Sequence, residues 1–168
     1  MNALDKNYLS LQFRERIYTK HGTEFQSFFE AIMEKAFPTF KKVPSGGGDG
    51  GNDGWIKEIG RYYQVYSPNT PAVKDSVAAS KLKKDFSKLK ENWSELSEIK
   101  EYYFAFNDKY FGSKNPYETI TELEKENQNI KFKLFLAKDL EDAFFHLDES
   151  DILSLGFNID HRQAILNA

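Results

Sequence analysis

The chain has no cysteine among its 168 residues. That absence excludes a disulfide scaffold, a cysteine nucleophile and a thiolate zinc site together. Charge of one sign is also lacking: 23 Lys and Arg against 26 Asp and Glu leave a formal net charge of −3. This argues against a uniformly basic nucleic-acid protein but leaves room for a local basic patch. No apolar run approaches the roughly 18–20 residues needed to cross a bilayer. The opening segment MNALDKNYLSLQFRERIYTK lacks the apolar stretch and small-residue cleavage site of a secretory leader. A soluble, cytoplasmic protein with no membrane partner is expected. Histidine is scarce, and His21, His146 and His161 are scattered without metal-ligand spacing. No serine sits in a nucleophile-elbow context.

What is present is ordinary globular composition, with 40% hydrophobic and 29% charged residues and many aromatics. The length suits one domain over 1–168, with a helical part over about 1–36, an α/β core over about 39–136 and C-terminal helices over about 137–168. Leu4 to Ala36 reads as two helices broken at Gly22-Thr23, with Thr23 as the second N-cap. Phe25, Phe28, Phe29, Ile32, Met33 and Ala36 form an apolar stripe at three- and four-residue spacing. Pro38 ends that helix, and Thr39 to Val43 predicts a short strand. Trp55 to Ile59 and Arg61 to Ser67 predict a hairpin turning at Gly60. In its second strand Tyr62, Gln64 and Tyr66 share one face, and Tyr63 and Val65 the other.

Helical spacing then runs from about Ala72 to Leu96, with Leu82, Phe86, Leu89, Trp93 and Leu96 as the seam. Strands at Glu101–Asn107 and Ile130–Leu136 bracket a helix at Tyr117–Asn127, and two short helices follow over 138–147 and 149–155. The pattern predicts an α/β fold with a central mixed sheet that includes a β-hairpin and is flanked by helices.

The most unusual text is Gly46-Gly47-Gly48-Asp49-Gly50-Gly51-Asn52-Asp53-Gly54. A P-loop fails because Trp55 stands where Lys and Ser/Thr are needed. A dinucleotide turn fails because a strand follows instead of a helix. An EF-hand starting at Asp49 would need oxygen ligands where Gly51 and Gly60 stand, and a calcium β-roll needs stacked repeats. In the remaining reading, Asp53 opens a strand and Gln64 sits midway along its hairpin partner. The two then meet on one face and can hold a magnesium ion that activates water at a phosphodiester.

Several of these residues carry a resemblance. Gly22-x-x-Phe25-Gln26 on a helix, Gly48-Asp49-x-x-x-Asp53-Gly54 before a strand, and a following Gln64-x strand are similar to the Mrr-type branch of the PD-(D/E)xK, restriction-endonuclease-like fold. The longer text Gly48 to Gly54 with Tyr62-Tyr63-Gln64-Val65-Tyr66-Ser67-Pro68 resembles a component of bacterial ABC-three-component conflict systems. So does the tail Leu136-Ala137-Lys138-Asp139-Leu140-Glu141, with Leu147-x-x-x-Asp151-Ile152-Leu153 running into Gly156. The likeness spans roughly Gly22 to Gly156.

The resemblance implies a nuclease-like component of an antiviral system that hydrolyses phosphodiesters of DNA with Mg²⁺ or Mn²⁺. It also implies an ATPase or other defence-system partner, and it allows a homodimer. Asp53 and Gln64 match the metal positions, Asp49 is a further metal candidate, and Gln26 and Glu30 are candidates for the first-helix ligand. The lysine expected two residues after Gln64 is Tyr66, which donates a hydrogen bond but carries no charge. Lys57 or Lys74 is then the candidate for the displaced ammonium. Lys74, Lys81, Lys84 and Lys88 are the candidate nucleic-acid contacts.

Blander readings stand beside these. Asp53-Gly54 also suits a plain turn, a lysine face also suits a solvated helix, and aromatic strands usually pack. Tyr66 motivates an alternative function, an inactive nuclease-fold module that binds nucleic acid or a partner ATPase. A third reading has the glycine loop only docking a partner.

Overall fold

The computed structural model describes residues 1–44, 48, 50–69 and 74–166. Asp49 and most of the glycine run before it lie outside the described residues, as do residues 70–73. The fold is α/β, a five-stranded mixed sheet with helices on both faces. Helix α1 (Ala3–Thr19) starts at Asn2, whose side chain takes the Asp5 N–H while Asp5 reaches back to the Asn2 N–H. Helix α2 (Gly22–Ala36) buries Phe25, Phe28, Phe29, Ile32 and Met33. Its cap position is His21, with no side-chain cap bond, so Thr23 lies inside the helix and is not the cap.

Strand β1 covers only Lys41–Lys42, shorter than the predicted Thr39–Val43. It pairs antiparallel with β2 (Gly54–Ile56), and β2 pairs antiparallel with β3 (Arg61–Tyr66). Between β2 and β3, Lys57–Ile59 forms a 3₁₀ turn where a strand was predicted. Gly60 closes it at φ 66°, a left-handed conformation that glycine adopts without a Cβ penalty. The Gly60 carbonyl then accepts the N–H groups of Lys100 and Glu101, tying the hairpin tip to the next strand.

Helix α3 (Asp75–Trp93), β4 (Glu101–Phe106), α4 (Lys114–Glu126) and β5 (Lys131–Phe135) make two successive crossovers, with β3, β4 and β5 parallel. Parallel pairing requires such crossovers, and both helices land on one sheet face. There Leu82, Phe86, Leu89, Ile120 and Leu123 pack against Tyr62, Tyr102, Phe104 and Phe132. Leu96 lies past the end of α3 and is exposed, so it does not extend the seam; Trp93 is only partly buried. Helices α1 and α2 cover the opposite face with α5 (Ala137–Phe145), and α6 (Glu149–Ser154) packs beside them. A short α7 (Arg162–Leu166), absent from the sequence reading, ends the described chain.

Both layers are aromatic. Phe29 meets Phe40, Tyr63 and Phe135 at centroid separations of 5.8–6.2 Å. Such pairs contribute roughly 0.5–1.5 kcal/mol each beyond area burial. No helix among the described residues is long and apolar enough to cross a membrane.

Candidate metal and phosphate site

Alternation along β3 turns Tyr62, Gln64 and Tyr66 toward α3 and Tyr63 and Val65 toward α2. The β2–β3 register pairs Gly54 with Tyr63. One residue earlier, the Asp53 N–H donates to the Tyr63 carbonyl at 2.9 Å, and Asp53 Oδ2 accepts the Val65 N–H at 2.7 Å. These two bonds straddle Gln64, so Asp53 stands level with it across the hairpin. Gln26 Nε2 of α2 lies 3.4 Å from Asp53 Oδ1 and donates to Glu30 Oε1 at 3.0 Å. Four of the sequence candidates (Asp53, Gln64, Gln26 and Glu30) are therefore brought to one end of the hairpin. On the α2 side a cavity of about 340 Å³ is lined by Thr23, Gln26, Ser27, Glu30, Lys42 and Val43, with neither Asp53 nor Gln64 in its wall.

The glycine loop reaches this place by close approach to α3. A Cβ on Gly51, at φ 84°, would stand 2.5 Å from the Asp85 carbonyl oxygen and 2.9 Å from the Leu89 nitrogen. Only a residue without a side chain seats the loop there. The same approach carries Asn52 and Asp53 against the α3 layer.

A buried polar cluster lies in that layer. Asn52, Asp53, Gln64, Asp85 and Tyr102 are all less than 9% exposed. Four of their atoms have no hydrogen-bond partner: Asn52 Nδ2, Gln64 Oε1, Asp85 Oδ2 and the Tyr102 hydroxyl. Asn52 Oδ1 accepts the Gly54 N–H at 3.1 Å, which fixes the amide orientation and leaves its nitrogen over. Lys81 Nζ is 2.8 Å from Asp85 Oδ2, a charge contact without hydrogen-bond angles. The Tyr102 hydroxyl is pushed well above its usual range, first by complete burial and then by the negative charges of Asp85 and Asp53. Both carboxylates thus bear on one hydroxyl.

The lysine candidates separate. Lys57 is exposed on the 3₁₀ turn at the far end of the hairpin, its Nζ 6.0 Å from the Trp55 ring, and does not join the cluster. Lys74 is exposed at the cap of α3, and Lys84 and Lys88 are exposed along it. Lys81 differs: it is half-buried, and its ammonium lies 5.8 Å from the centre of the Tyr66 ring. Tyr66 itself stacks on Phe104 and Phe106. At the end of β4, Lys109 is buried with Nζ 3.4 Å from His21 Nδ1, and burial lowers its pKa. That pair stands at the head of the helix that carries Gln26.

Asp85 and Tyr102 are the cluster members that the sequence reading passed over. In the sequence Asp85 is an i+4 partner for Lys81, and Tyr102 belongs to an aromatic strand; only the topology joins them. Chemically, two buried carboxylates and an amide carbonyl, the carbonyl of Gln64 without a hydrogen-bond partner, suit a hard divalent cation. Comparison with protein-family models, curated proteins and solved structures finds no match to this chain.

Proposed function

We propose that the chain is a PD-(D/E)xK-type nuclease-like component of a bacterial conflict system, acting on phosphodiesters of DNA. The observation that carries this reading is the place of Asp53: at the head of β2, level with Gln64 on β3 and bonded to Gln26 of the preceding helix. The order α2, three antiparallel strands, α3 and a parallel strand supports this reading.

The residues present fit a hard cation, because Gln64 Oε1 is a buried carbonyl oxygen with no partner and Asp53 supplies charge beside it. Bound there, Mg²⁺ or Mn²⁺ would lower the pKa of water and offset charge on a phosphate. Asp53, anchored by Val65 and Gln26, fixes the geometry. Lys81 stands in for the lysine that Tyr66 replaces, bringing its ammonium to the Tyr66 ring from α3. The exposed Lys84 and Lys88 extend that positive face along the same helix.

Purified protein with Mn²⁺ should cleave DNA, and Asp53→Ala and Lys81→Met should each remove the activity. Binding of DNA without cleavage under any divalent cation would favour the second reading, an inactive module for nucleic acid or an ATPase partner, which the uncharged Tyr66 supports. Neither binding nor cleavage, together with an unchanged cellular phenotype for Asp53→Ala, would remove both.

A further inference from the structure

We propose that Asp85 of α3 is a ligand for the same cation as Asp53 and Gln64, and that Lys81 occupies its carboxylate until the cation displaces it. The inference rests on the cation site just described, and adds to it a residue outside the matching motif.

A pair made of Asp53 and Gln64 carries one negative charge, because Gln64 offers a neutral carbonyl. Hard cations are held more tightly as carboxylate ligands are added. Asp85 is a buried carboxylate on the α3 side of the hairpin, the side that Gln64 faces. It is 3% exposed, and the chain segment bearing Asn52 and Asp53 is pressed onto its helical turn through Gly51. Lys81, whose ammonium lies 2.8 Å from Asp85 Oδ2 and 5.8 Å from the Tyr66 ring, sets Asp85 against the face of β3 that carries Gln64 and Tyr66, and the charges of Asp85 and Asp53 both raise the Tyr102 hydroxyl.

The unsatisfied atoms point to a missing guest. A buried acceptor without a partner is rare in a folded protein, yet Gln64 Oε1 and Asp85 Oδ2 both lack a hydrogen bond in one cluster. A cation satisfies both at once. Asn52 Nδ2 is a donor only, and the Tyr102 hydroxyl can donate as well, so both suit the oxygens of the cation's water or of a phosphate.

Lys81 closes the account. Its ammonium compensates the Asp85 charge while no cation is bound. Removing a buried carboxylate's partner is costly unless another positive charge replaces it, and the arriving cation is that replacement. Displaced, the half-buried Lys81 has the Tyr66 ring beside it. Binding of the cation and release of the ammonium toward the phosphate thereby become one event.

The test is Mn²⁺ binding by the full chain, followed by electron paramagnetic resonance of the free ion, with circular dichroism checking the fold of each variant. Wild type should bind one ion in this cluster, Asp53→Asn and Asp85→Asn should each weaken it at least tenfold, and Lys81→Met should tighten it several-fold while abolishing cleavage. Weakening by Asp53→Asn but not by Asp85→Asn overturns the role of Asp85 and leaves the proposed function standing. Loss of neither, or no binding by wild type, removes the cation site and both readings with it. Lys81→Met keeps Asp85 in place should Asp85→Asn fail to fold; unchanged or weaker binding in it overturns the exchange.

Discussion

Two acidic clusters among the described residues differ in what their oxygens are doing. Near the chain ends, Asp5, Asp160 and His161 bring three ligand atoms within 4.8 Å of one another, beside a cavity of about 840 Å³. By spacing this is the better metal cluster. Its groups are already engaged, however. Asp5 Oδ1 accepts the His161 N–H at 3.0 Å and lies 2.7 Å from His161 Nδ1, while Asp160 grips the Arg162 guanidinium at 2.6–3.0 Å. The Asp5–His161 bonds fasten α1 to the C-terminal segment. The Asp53–Asp85 cluster has as many carboxylates but is buried, and its Gln64 Oε1 is an acceptor with no hydrogen-bond partner. Unmet demand under burial marks a ligand site better than a count of acidic groups does.

The contrast breaks most sharply at Asp53. Asp53→Asn should lower any DNA cleavage at least about 100-fold, the scale expected when a group that stabilises the reacting charge is lost. Asp5→Asn should leave the rate unchanged, and gel-based cleavage assays would separate the two. A smaller effect is expected at Gly51→Ala. Its Cβ would collide with the Asp85 carbonyl from a left-handed backbone, costing on the order of 1–3 kcal/mol. Chemical denaturation would measure that loss, and Mn²⁺ affinity should fall with it because the loop lifts from α3.

The smallest effect concerns the chain ends. Arg162, through its side-chain and backbone hydrogen bonds, holds the Asp160 carboxyl down at about 2 from an ordinary 3.8. A depressed carboxyl adds stability that is present above its unfolded value and lost as the pH falls through the folded one. That contribution is therefore complete above about pH 4 and disappears toward pH 2. Asp5, held low chiefly by the His161 N–H, acts in the same direction. Carboxyl carbon NMR titration should show the Asp160 midpoint near 2, and Arg162→Gln should return it toward 3.8.

Much of the architecture was legible wherever periodicity speaks directly. The α2 stripe, the Tyr62–Tyr66 alternation and the turn at Gly60 each follow from local rules. Errors fell where a pattern outran its element. Leu96 keeps the helical spacing of Leu82, Phe86 and Leu89, but α3 ends at Trp93. Lys57 carries strand-like neighbours, but Gly60 draws it into a 3₁₀ turn. Asp53 and Gln64 were visible because twelve or fewer residues and a hairpin connect them. Asp85 and Tyr102 were not, since a crossover helix and a parallel strand bring them together. The contact between Asp5 and His161 spans 156 positions and leaves no local trace.

The proposed cation site is tested most directly by paramagnetic broadening of backbone amide resonances with substoichiometric Mn²⁺. The account predicts that signals of Asn52–Gly54, Gln64–Tyr66 and Asp85 vanish first while those of Asp5, His161 and Arg162 persist. Broadening confined to Asp5, His161 and Arg162, with Asp53, Gln64 and Asp85 untouched, would contradict it.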